Sequence, residues 1–113
     1  MPNSTSDINE ITGALLHFRD ERDWGQFHNP KDLAAALSIE AGELLECFLW
    51  KSHGGADTTR VKEELADVFA YGLLLARHYG LDVKQIVLDK IAQNAQKYPV
   101  DKARGSAKKY TEL

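Results

Sequence analysis

Two acidic doublets, each set inside one of the chain's most apolar stretches, constrain what this sequence can fold into. Glu40-Ala41-Gly42-Glu43 is followed, after a spacer of twenty residues, by Glu64-Leu65-Ala66-Asp67. On a helix, residues three apart lie about 60° from each other around the axis, so each doublet points its carboxylates the same way. Leu37, Ile39, Ala41, Leu44, Leu45, Phe48 and Leu49 surround the first doublet, and Leu65, Val68, Phe69, Leu73 and Leu74 surround the second. Both stretches read as helices, and a short loop lets them pack as antiparallel neighbours. Four acids that converge without a partner repel one another and lose hydration. A hard divalent cation offsets both penalties, and carboxylate oxygens suit Mg²⁺. Such doublets are also common on solvated helix faces, so spacing alone leaves a metal site and a solvated stripe both open.

The rest of the chain reads as helices with clear punctuation. Residues 1–6 read as frayed. Ser6 or Asp7 caps a first helix that ends near Arg22, with Ile8, Ile11, Leu15 and Phe18 on its apolar side. Trp24 to Pro30 is a turn-like connector in which Asn29 caps the next helix and Pro30 takes its first position. Its Trp24, Phe27 and His28 either plug the end of a bundle or form a flat wall for a ring-shaped ligand. The second helix is expected from about Pro30 to Lys51, a register that stacks Glu43, Cys47 and Trp50 on one face. Glu46 is a third site acid or a surface residue. Lys51 either favours the helix C-terminus or reaches a phosphate.

The loop from Ser52 to Asp57 is polar and glycine-rich but lacks a P-loop pattern. Asp57, Thr58 or Thr59 caps a third helix that runs to about Tyr79, with Gly80 closing it. Glu64, Asp67 and Tyr71 form one stripe there. Asp82 caps a fourth helix whose expected buried stripe is Val83, Ile86, Val87 and Ile91. Lys90, Asn94 and Lys97 share another face, which suits a polyphosphate or a solvated surface. Tyr98-Pro99 ends that helix. In the tail, 100–113, Tyr110 and Leu113 are placed to pin the segment to the body or to another subunit.

At 113 residues, 43% hydrophobic and 27% charged, the chain suits one modest domain spanning 1–113, with flanking tails at 1–6 and about 100–113. A net charge of -3 supplies no basic footprint for a nucleic-acid polymer. The single cysteine, Cys47, excludes an intramolecular disulfide framework and a cysteine-based zinc site. No apolar run reaches transmembrane length, and the polar start Met1 to Ser6 does not read as a signal peptide. A cytoplasmic protein without a membrane partner is the expectation.

The acidic pattern resembles that of the MazG-like, all-α nucleoside triphosphate pyrophosphohydrolases. Phe18-Arg-x-Glu21-Arg-Asp-Trp24, Gln26-Phe-His28, Pro30, Phe48-x-Trp50-Lys51, Lys90, Asn94, Tyr98-Pro99 and Lys109-Tyr-Thr-Glu-Leu113 are very similar to the dCTP pyrophosphatase group within them. The resemblance covers roughly residues 15 to 113. It implies an all-α, four-helix bundle core completed by oligomerisation, as a homotetramer built from two dimers or otherwise a homodimer. It implies Mg²⁺-dependent hydrolysis of dCTP, or a modified dCTP, between the α and β phosphates. Glu40, Glu43, Glu64 and Asp67 would be the catalytic, metal-holding acids, and the base would sit among Trp24, His28 and Trp50. Tyr71 and Asn94 would contact the sugar or α-phosphate region, and Lys90 and Lys97 the phosphates, with Lys51 in the same substrate-binding set.

Leu15 departs from the pattern, since dCTP enzymes can carry a histidine there. The same reaction on dUTP or on a broad set of noncanonical nucleotides is therefore the alternative. Two other classes compete with this reading. A di-iron bundle needs Glu-x-x-His pairs, but the residues three after Glu40, Glu43 and Glu64 are Glu43, Glu46 and Asp67. A non-catalytic helical interaction module would gain no stability from Mg²⁺ and nucleotide.

Overall fold

The computed structural model describes residues 6–113. Its elements are α1 (Asp7–Glu21), a 3₁₀ turn (Trp24–Phe27), α2 (Pro30–Glu46), α3 (Thr58–His78), α4 (Val83–Lys97), α5 (Val100–Ala103) and a last 3₁₀ turn (Tyr110–Glu112). No strand occurs among the described residues, so the all-α expectation holds. The readings of fraying and of the polar start fall on residues 1–5, outside the described residues.

Helix starts follow the caps. The Ser6 hydroxyl accepts from the Asn9 N–H at 3.2 Å, Asn29 from Asp32 at 2.9 Å, Asp57 from Thr59 at 3.0 Å and Asp82 from Gln85 at 3.1 Å. Each satisfies a backbone donor that the helix itself cannot, a contribution of about 1 kcal/mol. Beyond the α3 cap Tyr79, Gly80 takes φ 65°, a left-handed turn that glycine adopts without Cβ strain.

The chain divides into two compact units, one ending at Leu81 and one running from Asp82 to Leu113. In the first, α2 and α3 pack most extensively against each other, and α1 lies against α3. Its buried apolar residues are few: Leu33, Cys47, Leu74 and Ala76. Ile39, Leu45, Leu65 and Phe69 of α2 and α3 stay exposed despite their apolar character.

Helix α2 stops at Glu46, short of the expected Lys51. Past Leu44 the hydrogen bonds tighten to a three-residue spacing: Cys47 to Leu44, Phe48 to Leu45 and Leu49 to Glu46. Trp50 then takes φ 63°. The Glu43–Cys47–Trp50 face is therefore not formed, because Cys47 is buried and Trp50 is 100% exposed.

In the second unit α4 has no buried residue. The expected stripe is only half-buried at Val83, while Ile86, Val87 and Ile91 are 41%, 49% and 57% exposed. At the far end of this unit Tyr98 meets Tyr110 edge-on at 6.0 Å, and the Lys97 ammonium lies 5.0 Å from the Tyr110 ring. That pair pins the tail to the end of α4. The short helix α5 was not foreseen from the sequence.

Candidate active site

Helices α2 and α3 bring Glu40 and Glu43 of one against Glu64 of the other. One carboxylate oxygen from each lies within 4.8 Å of the others, and all three residues are half-buried. An oxygen of Glu40 and one of Glu64, Oε2 in both, are enclosed without a hydrogen-bond partner. Hydrogen bonding to Glu40, and then that neighbour's charge, pushes the Glu43 carboxyl above its ordinary range, while its contact with Glu64 pulls the other way. Desolvation raises Glu64, with hydrogen bonding to Glu43 and the charges of Glu43 and Asp67 adding to it. This is the signature of carboxylates gathered without a counterion. A divalent cation would take up the enclosed oxygens and offset the repulsion, so the donor set fits a hard metal ion. Asp67 stands outside the three and is exposed, yet its charge acts on Glu64 and on Tyr71.

A cavity of about 140 Å³ opens in the same unit. Its walls are Leu15, Phe18 and Arg19 from α1, Trp24 and His28 from the connector, and Asp67, Ala70, Tyr71 and Leu74 from α3. Asp23, at φ 54°, turns the chain so that Trp24 meets Phe18 edge-on, with ring centroids 5.8 Å apart. Arg22 clamps this pair: its guanidinium lies 3.7 Å from the Phe18 ring, and Nη1 donates to the Phe18 carbonyl at 2.9 Å. His28 Nδ1 is enclosed without a partner. Desolvation, and then the charge of Arg19, lowers the His28 pKa and keeps the ring neutral. Tyr71 joins the two features. It lines the cavity, and its pKa is raised by desolvation and then by Glu40, Asp67 and Glu43.

The sequence model of the MazG-like family matches residues 35–113, a span that includes all four acids. The chain belongs to the MazG-like family. The dCTP pyrophosphatase 1 of Mus musculus is 44% identical over 114 residues, spanning 94% of this chain and 67% of that protein. Its counterpart from Homo sapiens is 42% identical over 114 residues, with the same shares of 94% and 67%. A solved pyrophosphatase from Archaeoglobus fulgidus superimposes with a TM-score of 0.80 at 35% identity, over 88% of this chain and 98% of that one.

In this MazG-like chain the first unit gathers Glu40, Glu43 and Glu64, with Asp67 and Tyr71 at their edge and Trp24 and His28 in the adjoining cavity. Trp50 and Lys51 are not drawn in; both are exposed in the turn after α2. Lys90, Asn94 and Lys97 belong to the second unit, where all three are exposed. Sequence reasoning assigned no site role to Arg19, Ala70 or Leu74. The available signal was four-residue spacing, from Leu15 to Arg19 on α1 and from Ala70 to Leu74 on α3, which places each pair on one helix face.

Proposed function

We propose that this chain hydrolyses dCTP, or a modified dCTP, with Mg²⁺, cutting between the α and β phosphates to release the monophosphate and pyrophosphate. That it is an enzyme of the nucleoside triphosphate pyrophosphohydrolase class follows from its family and from its dCTP pyrophosphatase relatives. The observation that carries the finer reading is the acid cluster, with two enclosed carboxylate oxygens that lack a partner. Glu40, Glu43, Glu64 and Asp67 would hold the metal. Mg²⁺ bound there offsets charge on the triphosphate and lowers the pKa of water.

The chain's own groups do the remaining work in this proposal. Glu43 is the acid proposed to take the proton of the attacking water. Trp24 walls the base and His28 meets its edge. Tyr71 reaches the sugar or α-phosphate from its place beside the acids. Lys51, Lys90, Asn94 and Lys97 donate to phosphates and sugar, and Trp50 covers the base. The thin core and the exposed apolar residues on α2 and α3 support a homotetramer or homodimer. No described helix is long and apolar enough to cross a membrane, and a cytoplasmic location is part of the proposal.

The test is release of monophosphate and pyrophosphate from dCTP, dUTP, dTTP, dATP and dGTP, each with and without Mg²⁺. Metal-dependent formation of dCMP and pyrophosphate, well above the other products, is expected. Turnover spread across bases would retire the narrow substrate and keep the reaction. No turnover with any nucleotide would leave a helical interaction module.

A further inference from the structure

The cavity raises a question that the acids do not answer: how a base is chosen. An apolar cavity of roughly 150 Å³ holds benzene, so one of about 140 Å³ has room for a six-membered ring. Most of its wall is apolar, from Leu15, Phe18, Trp24, Ala70 and Leu74. Arg19, Trp24 and His28 are the nitrogen-bearing side chains on its wall, and of these only Arg19 offers a fork of donors.

Arg19 is held in place with donors to spare. Its Nε and Nη2 both approach Asp20 Oδ1 at 2.8 Å, while Nη1 has no partner among the described residues. The side chain is only 27% exposed. It runs beneath Gly25, where an added Cβ would come within 3.3 Å of Nε. Leu15, one turn earlier on the same face, contributes no hydrogen bond, so Arg19 supplies the polar edge of α1. A planar guanidinium presents its donors as a fork, which suits paired acceptors better than a lysine ammonium does.

We infer that Arg19 reads the edge of a single-ring base, donating to ring nitrogen 3 and oxygen 2 of a cytosine-type ring. A uracil-type ring carries an N–H at position 3, which sets donor against donor and is rejected. The inference rests on the reaction proposed above and deepens it by naming what selects the base.

The experiment is steady-state kinetics of the Mg²⁺-loaded protein with dCTP, dUTP and dATP, for the wild type, Arg19→Met, Arg19→Lys and Gly25→Ala. Wild type should favour dCTP over dUTP. Arg19→Met should raise KM for dCTP by about 5- to 150-fold, the range for a lost bidentate base contact. That rise should exceed any fall in kcat, and KM for dUTP should move far less. Arg19→Lys should not restore the preference, and Gly25→Ala, by crowding Nε, should shift it in the same direction by less.

An unchanged dCTP-to-dUTP ratio in Arg19→Met, or an equal loss of kcat on all three nucleotides, would overturn the inference. If Arg19→Met does not fold, the ratio in Arg19→Lys decides, and a wild-type ratio there overturns it. Absence of turnover in the wild type defeats the proposed reaction itself, and is seen before any variant is made.

Discussion

The connector at 23–28 and the turn at 47–51 each combine a tryptophan with one left-handed residue, yet they end differently. In the connector Asp23 takes the left-handed conformation, which its short polar side chain tolerates. Trp24 is then free to enter a 3₁₀ turn and to meet Phe18 under the Arg22 clamp. In the turn after α2, Trp50 itself is left-handed, at φ 63°, and is 100% exposed. Trp24 is placed by its own protomer. Trp50 carries backbone strain and no compensating contact. A side chain in the first position contributes to stability as well as to the site, whereas one in the second acts only when something else arrives.

Both tryptophans matter to turnover only if the acids do the chemistry, so the largest effect belongs there. Glu40→Gln or Asp67→Asn should lower turnover by about 100-fold or more, the typical cost of losing one charge-stabilising element. Circular dichroism should show the helices retained. Near-normal rates in both variants would remove the acids, and with them the reason to compare the two aromatic segments.

The next effect tests the comparison directly by urea unfolding. Trp24→Ala should cost about 2 kcal/mol, from lost apolar burial and the edge-on pair with Phe18. Trp50→Ala should change stability by less than about 0.5 kcal/mol. It should instead weaken nucleotide binding broadly, by about 1–3 kcal/mol if Trp50 stacks on the base. Equal stability losses would break the comparison, and unchanged KM values for every nucleotide would take Trp50 out of the site.

A pH series sharpens it further. Glu43 and Glu64 have raised folded-state pKa values, so in the acid range the folded metal-free protein holds protons that the unfolded chain has released. Its stability should fall as pH rises from the ordinary carboxylate range through the raised values. Mg²⁺ competes with those protons, so the Tm increase it produces should grow over the same window. His28 has the opposite sign for a base with a lowered pKa: stability should be lost as pH drops below the ordinary histidine range, because the unfolded chain protonates first. A flat metal-free Tm across both windows would contradict these assignments.

The smallest effects are backbone ones. Trp50→Asn should raise stability by about 1 kcal/mol, by placing a residue that tolerates the left-handed region. Gly80→Ala, at φ 65° with nothing within 4 Å of an added Cβ, should cost about 1 kcal/mol through conformation alone. If Trp50→Asn proves neutral, the strain assigned to this turn is absent.

The helix starts were legible because each depends on local chemistry: Ser6, Asn29, Asp57 and Asp82 each accept from a backbone N–H two or three residues on. The end of α2 was not, since the apolar run through Leu49 continues past it without a glycine or proline. What stops the helix is the tightening from Cys47 onward, with that side chain buried. Spacing made the shared facing of each acidic doublet legible but left a metal site and a solvated stripe both open. Arg19, Ala70 and Leu74 were not legible, because membership of a cavity between α1 and α3 depends on how two helices cross, which neither helix's periodicity contains.

The sequence by itself determined the all-α class, the capped starts of four helices and the facing of each acidic doublet, since these depend on interactions within a few residues. Only the tertiary structure decided that oxygens of Glu40, Glu43 and Glu64 gather within 4.8 Å, that two of their carboxylate oxygens are enclosed without partners, and that Trp24, 45% exposed, meets Phe18 edge-on while Trp50 is 100% exposed. Those outcomes depend on distances between helices, which packing sets and local sequence does not encode.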